Sequence, residues 1–276
     1  MLLSNSFPAG DWVLHTQRML REAHAGEITE VESEIDTELF FRHFYALNQP
    51  LIVRGGVRKW PAVARWNQEY LIERAGDQEV QIQARRDQNW NYEIQASQHR
   101  KVTKFGEFIR QVFSNEISND IYMTAQNGDI NGEALEDLWP DLDPIPDVLD
   151  GSLDHKRMFF WIGPSGTVTP LHHDLTNNLM AQVVGRKRIK LIAPDYLPYL
   201  YNHFHCFSEV DPENVNAQKY PLFDRVRVYE VTIGPGDILF LPIGWWHHVR
   251  SLDPSITITA TGFRGINQFN EYYPNG

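Results

Sequence analysis

Val226-Arg-Val-Tyr-Glu-Val-Thr-Ile-Gly-Pro-Gly-Asp-Ile-Leu-Phe-Leu241 reads as two short strands on either side of a turn. The apolar runs Val226–Ile233 and Ile238–Leu241 are separated by Gly234-Pro235-Gly236-Asp237, residue types that close turns. The same rhythm continues outward in both directions. Downstream lie His247–Ser251 and Ile256–Phe263. Upstream lie Arg188–Ile192, Leu179–Val184, Met158–Ile162 and Ile121–Thr124, each bounded by Gly, Pro or Asp. Gly185-Arg186 reads as a hairpin tip. Short runs with such punctuation argue for a closed or sandwiched antiparallel β fold.

The N-terminal half reads differently. Trp12 to His24 spaces its apolar residues loosely at helical intervals. Asp36 is placed to cap a helix through Leu39, Phe40 and Phe44 that stops before Pro50. Pro50-Leu-Ile-Val-Arg54-Gly-Gly56 reads as a strand closed by a glycine pair. Trp60-Pro61 opens a helical stretch through Leu71, and Phe105, Phe108, Ile109 and Val112 mark another from Lys104 to Phe113. No glycine-rich linker separates these helices from the strands. The expectation is a mainly β core with peripheral helices. It divides into an N-terminal helical extension (1–28), one large domain (29–265) and a short tail (266–276).

Composition narrows the function. In 276 residues, 25 Lys and Arg stand against 36 Asp and Glu, a formal charge of −11. Such a chain is a poor binder of nucleic acid or anionic membrane by its bulk field. No apolar run approaches the roughly 20 residues of a membrane helix, and Met1 to Trp12 lacks the pattern of a signal peptide. Cys206 is the only cysteine, which excludes an intrachain disulfide framework. A cytoplasmic setting is expected.

The chemistry is concentrated in Thr169-Pro-Leu-His172-His173-Asp174. Residues i and i+2 of an extended chain share a face, so His172 and Asp174 project together while His173 turns away. An imidazole and a carboxylate on one side of a strand are two thirds of a facial triad. Gly244-Trp-Trp-His247-His248-Val249-Arg250-Ser251 offers the third ligand. His247 shares a face with Val249 and Ser251, and His248 with the charged Arg250, so His247 is the better candidate. The triad leaves positions on iron(II) for a bidentate 2-oxo acid and for dioxygen. A 2-oxoglutarate co-substrate also needs a cation for its far carboxylate. Lys187, in phase with Ile189 and Leu191, is placed to supply it; an inward lysine is costly unless it meets an anion.

Each signal has a plain explanation. His-x-Asp occurs in strands without metal, an inward lysine can snorkel to a rim, and Trp-Trp-His-His can be an aromatic edge of a core. Their joint order is what matters. Trp161-Ile-Gly-Pro-Ser-Gly-Thr-Val-Thr-Pro-Leu-His172-His-Asp174, then Asn178-Leu-Met-Ala-Gln-Val-Val-Gly-Arg-Lys187, then Gly236-Asp-Ile-Leu-Phe-Leu-Pro-Ile-Gly-Trp-Trp-His247 resembles the JmjC (cupin-like) 2-oxoglutarate oxygenases. Within them it looks most like the hydroxylase group typified by factor inhibiting hypoxia-inducible factor. Pro50–Gly56 and Lys59-Trp60-Pro61-Ala62 resemble that group's N-terminal strand and helix. The resemblance covers roughly residues 29 to 265.

The resemblance implies a double-stranded β-helix, that is, a jelly-roll or cupin barrel. It implies an Fe(II)- and 2-oxoglutarate-dependent dioxygenase that hydroxylates an unactivated C–H bond, most naturally of an amino-acid side chain in a protein or peptide. Its metal ligands would be His172, Asp174 and His247. Lys187, Thr169, Asn178 and Tyr122 would contact 2-oxoglutarate, and O2 would be the second co-substrate. Thr261 stands where related hydroxylases often carry asparagine. Other outcomes are a biosynthetic hydroxylase of a small polar metabolite, an N-methyl demethylase, or a metal-binding cupin without activity.

Candidate substrate contacts lie on two segments. Arg85 and Arg86, shortly before Trp90 and Tyr92, form either a surface turn or part of a cleft. His203 and His205 sit at i, i+2 and read as a substrate-facing loop rather than a second metal site. Trp245 and Trp246 are expected to split between core and metal mouth, with Trp246 a further substrate candidate. These cations, imidazoles and aromatics suggest a polar or acidic substrate group. The family's C-terminal dimerisation helices have no counterpart in the eleven residues Ile266 to Gly276. A monomer, or a dimer built on another face, is therefore expected.

Overall fold

The computed structural model describes residues 9–24, 26–151 and 157–273. Helix α1 (Ala9–His24) precedes strand β1 (Thr29–Glu32) and α2 (Thr37–Phe40), which continues as a π-helical turn over Phe41–Tyr45. Asp36 caps α2, its carboxylate accepting from the Leu39 N–H at 2.9 Å. After β2 (Leu51–Arg54), the stretch expected as one helix from Trp60 is two, α3 (Pro61–Arg65) and α4 (Gln68–Ala75). Asn67 makes the break. It is extended, and its side chain accepts from the Tyr70 N–H at 2.9 Å, so it starts a new helix instead of continuing the old one. An antiparallel ribbon of β3 (Glu79–Gln83) and β4 (Arg100–Lys104) leads into α5 (Phe105–Val112). Phe105, Phe108, Ile109 and Val112 are buried as their i, i+3, i+4, i+7 spacing requires. Helix α6 (Gly128–Ala134) completes the outer layer. Among the described residues no helix is long and apolar enough to cross a membrane.

The remaining chain is mostly strand: β5 (Met158–Gly163), β6 (Val168–His173), β7 (Asn178–Val184), β8 (Lys187–Ile192), β9 (Asn202–Phe204), β10 (Phe207–Ser208), β11 (Tyr229–Ile233), β12 (Ile238–Leu241), β13 (Trp246–Ser251) and β14 (Ser255–Ala260). With β1 and β2 they form two six-stranded sheets, in the orders β1-β2-β12-β7-β14-β5 and β11-β8-β13-β6-β10-β9. β5, β7, β12 and β14 thus share one sheet, while β6, β8, β11 and β13 share the other. The chain crosses between sheets from β5 through β8 and again from β11 through β14, and these strands pair antiparallel; only β1 and β2 run parallel among the described strands of the two sheets. That alternation defines a jelly roll.

It also corrects two local readings. Gly185-Arg186 is not a hairpin tip but the corner carrying the chain from β7 in one sheet to β8 in the other. Gly185 has φ +68°, and a Cβ there would stand 2.2 Å from the Pro254 carbonyl oxygen, so only glycine turns this corner. Ile121–Thr124 is not a strand: Tyr122 and Met123 make single bridges to Gln83 and Ile162.

Alternation sorts the core into two layers. Leu51 and Val53, Leu179, Ala181 and Val183, Ile238 and Phe240, and Ile256 and Ile258 pack outward beneath the helices. Ile52, Met180, Leu239 and Leu241 point inward to meet Leu171, Ile189 and Leu191 of the facing sheet. Each such side chain contributes roughly 1.5–3 kcal/mol by leaving water. The inner layer is not apolar throughout. Gln182, Ser255, Thr257 and Thr259 are buried in the first sheet, with the Thr257 hydroxyl donating to Gln182 Oε1 at 2.8 Å. The polar end of the barrel holds the site.

Candidate metal centre

β6 and β13 pair with His172 directly opposite His247. Asp174 follows β6 by one residue. His172 Nε2 lies 3.7 Å from Asp174 Oδ1, and His247 Nε2 lies 4.0 Å from Asp174 Oδ2. One ligand atom from each of the three lies within 4.8 Å of the others, a group able to hold a metal ion. The far ring nitrogens are spoken for. His172 Nδ1 is 2.8 Å from the Pro170 carbonyl oxygen, and His247 Nδ1 is 3.1 Å from that of Trp245. With those nitrogens donating, both Nε2 lone pairs face the centre. Burial, reinforced by neighbouring His172, holds His247 below the usual imidazole range. Burial pushes Asp174 up, but His247, His172 and the Asn178 amide outweigh it and hold the carboxyl below its ordinary value. Asn178 Nδ2 donates to Asp174 Oδ2 at 3.1 Å.

His173 turns away, as its position requires, and packs its ring edge-on to Trp246 at 4.8 Å. His248 also lies on the outer face, but that face is not solvent: His248 is 3 % exposed. Asp211 and Glu213 come close enough to His248 to form a second group of ligand type. Glu213, however, is already held by Arg188 and Arg250, each at 2.5 Å.

Strict alternation from His172 would turn Thr169 outward. The structure turns it inward, because the β6–β13 register slips between His247 and Val249. Three steps on β6, from His172 to Thr169, oppose two on β13. The extra residue sits at Pro170-Leu171, where proline has no ladder N–H to lose. The bulge brings Thr169 into one cavity with His172, Asp174, His247, Asn178, Tyr122 and Lys187. Lys187 is 1 % exposed, and its ammonium donates to the Tyr122 hydroxyl at 3.1 Å. Among the described residues no carboxylate pairs with it. Burial lowers its pKa to about 7.

Trp161, Met180, Val249 and Thr259 complete the lining. Sequence reading passed over them, although β14 carries the signal: Ile256, Ile258 and Ala260 mark one face, so Thr259 belongs to the other. Thr259 accepts from Trp161 Nε1 at 2.9 Å. Thr261 lies beyond the strand and does not line the cavity.

The substrate candidates separate. Trp90, Tyr92, His203 and Phe207 do meet, in a second pocket that also takes in Glu209 and Asp211. It adjoins the centre through Phe207, whose ring stacks on His172 at 5.7 Å. Trp90 is 71 % exposed. Arg86 is not in this pocket. It is fully buried, paired with Glu93 at 2.8 Å and set against the rings of Tyr92 and Tyr122. Arg85 is an exposed left-handed residue (φ 61°). His205 packs against Tyr273 at 4.8 Å instead. Trp246, 1 % exposed, lies on the face away from the metal group, and Trp245 is equally buried, so neither stands at the mouth.

The cupin-like domain profile matches residues 37–260. The chain belongs to the cupin-like (JmjC) domain family. Among curated JmjC relatives, lysine-specific demethylase 8 of Danio rerio is 33% identical, over 80% of this chain and 55% of that protein. Jumonji C domain-containing protein 5 of Drosophila melanogaster is 32% identical, over 80% and 56%. The tRNA wybutosine-synthesizing protein 5 of Gallus gallus is 28% identical, over 87% and 78%. The chain spans about half the length of the demethylase 8 and Jumonji C relatives.

Proposed function

We propose that this chain is an Fe(II)- and 2-oxoglutarate-dependent oxygenase that hydroxylates a C–H bond of an amino-acid side chain in a protein or peptide. His172, Asp174 and His247 would hold the iron. Two imidazole nitrogens and one carboxylate, converging from one side, are the donor set of a facial site on non-haem iron(II). The observation that carries the reading is Lys187. A buried ammonium with only a hydroxyl partner lacks an anion, and the far carboxylate of 2-oxoglutarate would supply it. Tyr122 and Thr169 would add hydroxyl donors. Asn178 Oδ1, buried without a hydrogen-bond partner, is a second group awaiting a ligand or water.

When bound, the iron with its two co-substrates supplies the oxidising power for an unactivated C–H bond. This chain's own residues orient and enclose. The two backbone carbonyls fix the imidazole tautomers, Lys187 and Tyr122 fix one end of the co-substrate, and Trp161, Met180 and Val249 keep bulk water from its flank. The fold has no disulfide partner for Cys206, which accords with action in the cytoplasm.

N-methyl demethylation is the second reading. The names of the demethylase relatives favour it, and so does the second pocket. With Arg86 withdrawn, the pocket's Arg250 held by Glu213 and its Glu209 held by Lys219, Asp211 stands near Trp90, Tyr92 and Phe207 with no ion pair among the described residues, which suits a cationic side chain better than the acidic one first expected. The test is succinate formation from 2-oxoglutarate with Fe(II), across basic, neutral and acidic peptides and small polar metabolites, followed by mass spectrometry. Gain of one oxygen supports hydroxylation; loss of a methylene supports demethylation. No succinate with any substrate would leave a metal-binding cupin without this activity, and turnover undiminished in Asp174→Ala would remove Asp174 from the reacting site.

A further inference from the structure

Asp174 does not belong to a strand. It opens a short turn, 174–177, between β6 and β7. Its carbonyl accepts from the Gly244 N–H at 3.3 Å and lies 3.2 Å from His173 Nδ1, and it has no strand partner among the described residues. A ligand on such a turn needs something else to hold it.

That something is a pair of asparagines. Asn267, 8 % exposed, reaches back from the segment after β14. Its Oδ1 accepts from the Asn177 N–H at 2.7 Å and from Asn177 Nδ2 at 3.0 Å. Its Nδ2 donates to the Asn177 carbonyl at 2.9 Å and to the Thr261 carbonyl at 2.8 Å. Two donors face its oxygen and two carbonyls face its nitrogen, so the amide has one orientation and no unused capacity. Asn177 passes the connection on. Its Oδ1 accepts from the Ile243 N–H at 2.9 Å, on the turn that leads through Gly244 to His247. Asn178, next in sequence, is the residue that donates to Asp174. The asparagine pair therefore joins the turn carrying Asp174, and the turn that leads into β13 and His247, to the segment after β14, and the bonds between the two asparagines are buried.

We propose that Asn267 and Asn177 form a positioning clamp that sets Asp174 and His247 at metal-binding distance. This rests on the metal reading of His172, Asp174 and His247. Neither asparagine touches the metal; the clamp acts by fixing where the ligands stand. Groups that orient ligands this way commonly change metal affinity by roughly 10–100-fold when removed.

The test is Co(II) titration of the full chain, read by binding constant and by the visible ligand-field spectrum, with thermal melting alongside. Asn267→Ala should weaken Co(II) binding more than tenfold and change the spectrum as Asp174 drifts from the ion. Asn267→Asp keeps an acceptor for both Asn177 donors but loses both donated bonds, so it should fall between. Where the alanine variant does not fold, the aspartate variant decides. Asp141→Asn provides the control. It disturbs a buried carboxylate bonded to Trp66 and Tyr70, none of which lines the metal cavity or bonds to the clamp, and should lower the melting temperature while leaving Co(II) untouched. Wild-type affinity and spectrum in the folded Asn267 variants would overturn the clamp alone. Wild-type protein that binds no Co(II), or binds it equally well as His172→Ala, would overturn the metal centre and the clamp with it.

Discussion

Lys187 has left water without gaining a carboxylate, and its pKa falls from 10.5 to about 7 through burial. The sign of the consequence is fixed. Between those values the unfolded chain holds a proton that the folded chain does not, so this group favours the folded state increasingly as pH rises from 7 toward 10.5. A bound carboxylate reverses that balance by raising the folded pKa. At pH 8, 2-oxoglutarate binding to the metal-loaded protein should therefore take up a proton, seen as a dependence of calorimetric heat on the buffer's ionisation enthalpy. Lys187→Met should abolish the uptake and weaken binding by roughly 2–5 kcal/mol, the cost of breaking a desolvated charge pair. Uptake that persists in Lys187→Met would assign the proton elsewhere and remove Lys187 from the site. His173 makes the opposite case. Its ring packs on Trp246, so His173→Ala should retain the metal that His172→Ala loses, with equilibrium dialysis as the check.

At the level of elements, period-2 alternation explains both what was legible in the sequence and what was not. His172, His247 and Lys187 lie on regular stretches of β6, β13 and β8, and counting by twos turned each inward correctly. Thr169 lies across a bulge, where counting by twos gives the wrong face; only its family likeness pointed inward. The jelly-roll crossing at Gly185 was read as a hairpin because a glycine turn looks the same whether the next strand pairs or changes sheet. A charged neighbour such as Arg250 marks the face of His248 as the outer one but does not show that the loop carrying Asp211 and Glu213 covers it. Arg86 shows the same limit. An arginine beside a turn looks exposed, yet this one is buried against Glu93 and braces the back of Tyr122. Arg86→Met should destabilise the fold by about 3–5 kcal/mol, since Glu93 is left as an uncompensated buried charge. Adding Glu93→Gln should recover much of the loss in denaturant titration. Equal stabilities for single and double variants would contradict the pairing.

Across the whole molecule, two neighbouring strands of the second sheet are fastened to the long segment before β11 by Glu213, which holds Arg188 of β8 and Arg250 of β13 together. Burial raises the Glu213 carboxyl, but the two guanidiniums outweigh it and bring its pKa from 4.5 to about 2. A carboxyl depressed in this way adds stability above about pH 4.5 that is lost as pH falls toward 2. Glu213→Gln should melt at lower temperature than wild type at pH 6, and the gap should narrow steadily as pH falls from about 4.5 toward 2; a constant gap would show that the carboxylate charge is not what matters. The fold as a whole serves to bring β6, β8 and β13 side by side, so that the three ligands and Lys187 share one cavity. The most direct test is a crystal structure grown without oxygen in the presence of Fe(II) and 2-oxoglutarate. The account predicts iron bonded to His172 Nε2, the Asp174 carboxylate and His247 Nε2, with the far carboxylate of 2-oxoglutarate against Lys187 and Tyr122. Iron bound at Asp211, Glu213 and His248 instead, or 2-oxoglutarate with its tail away from Lys187, would contradict it.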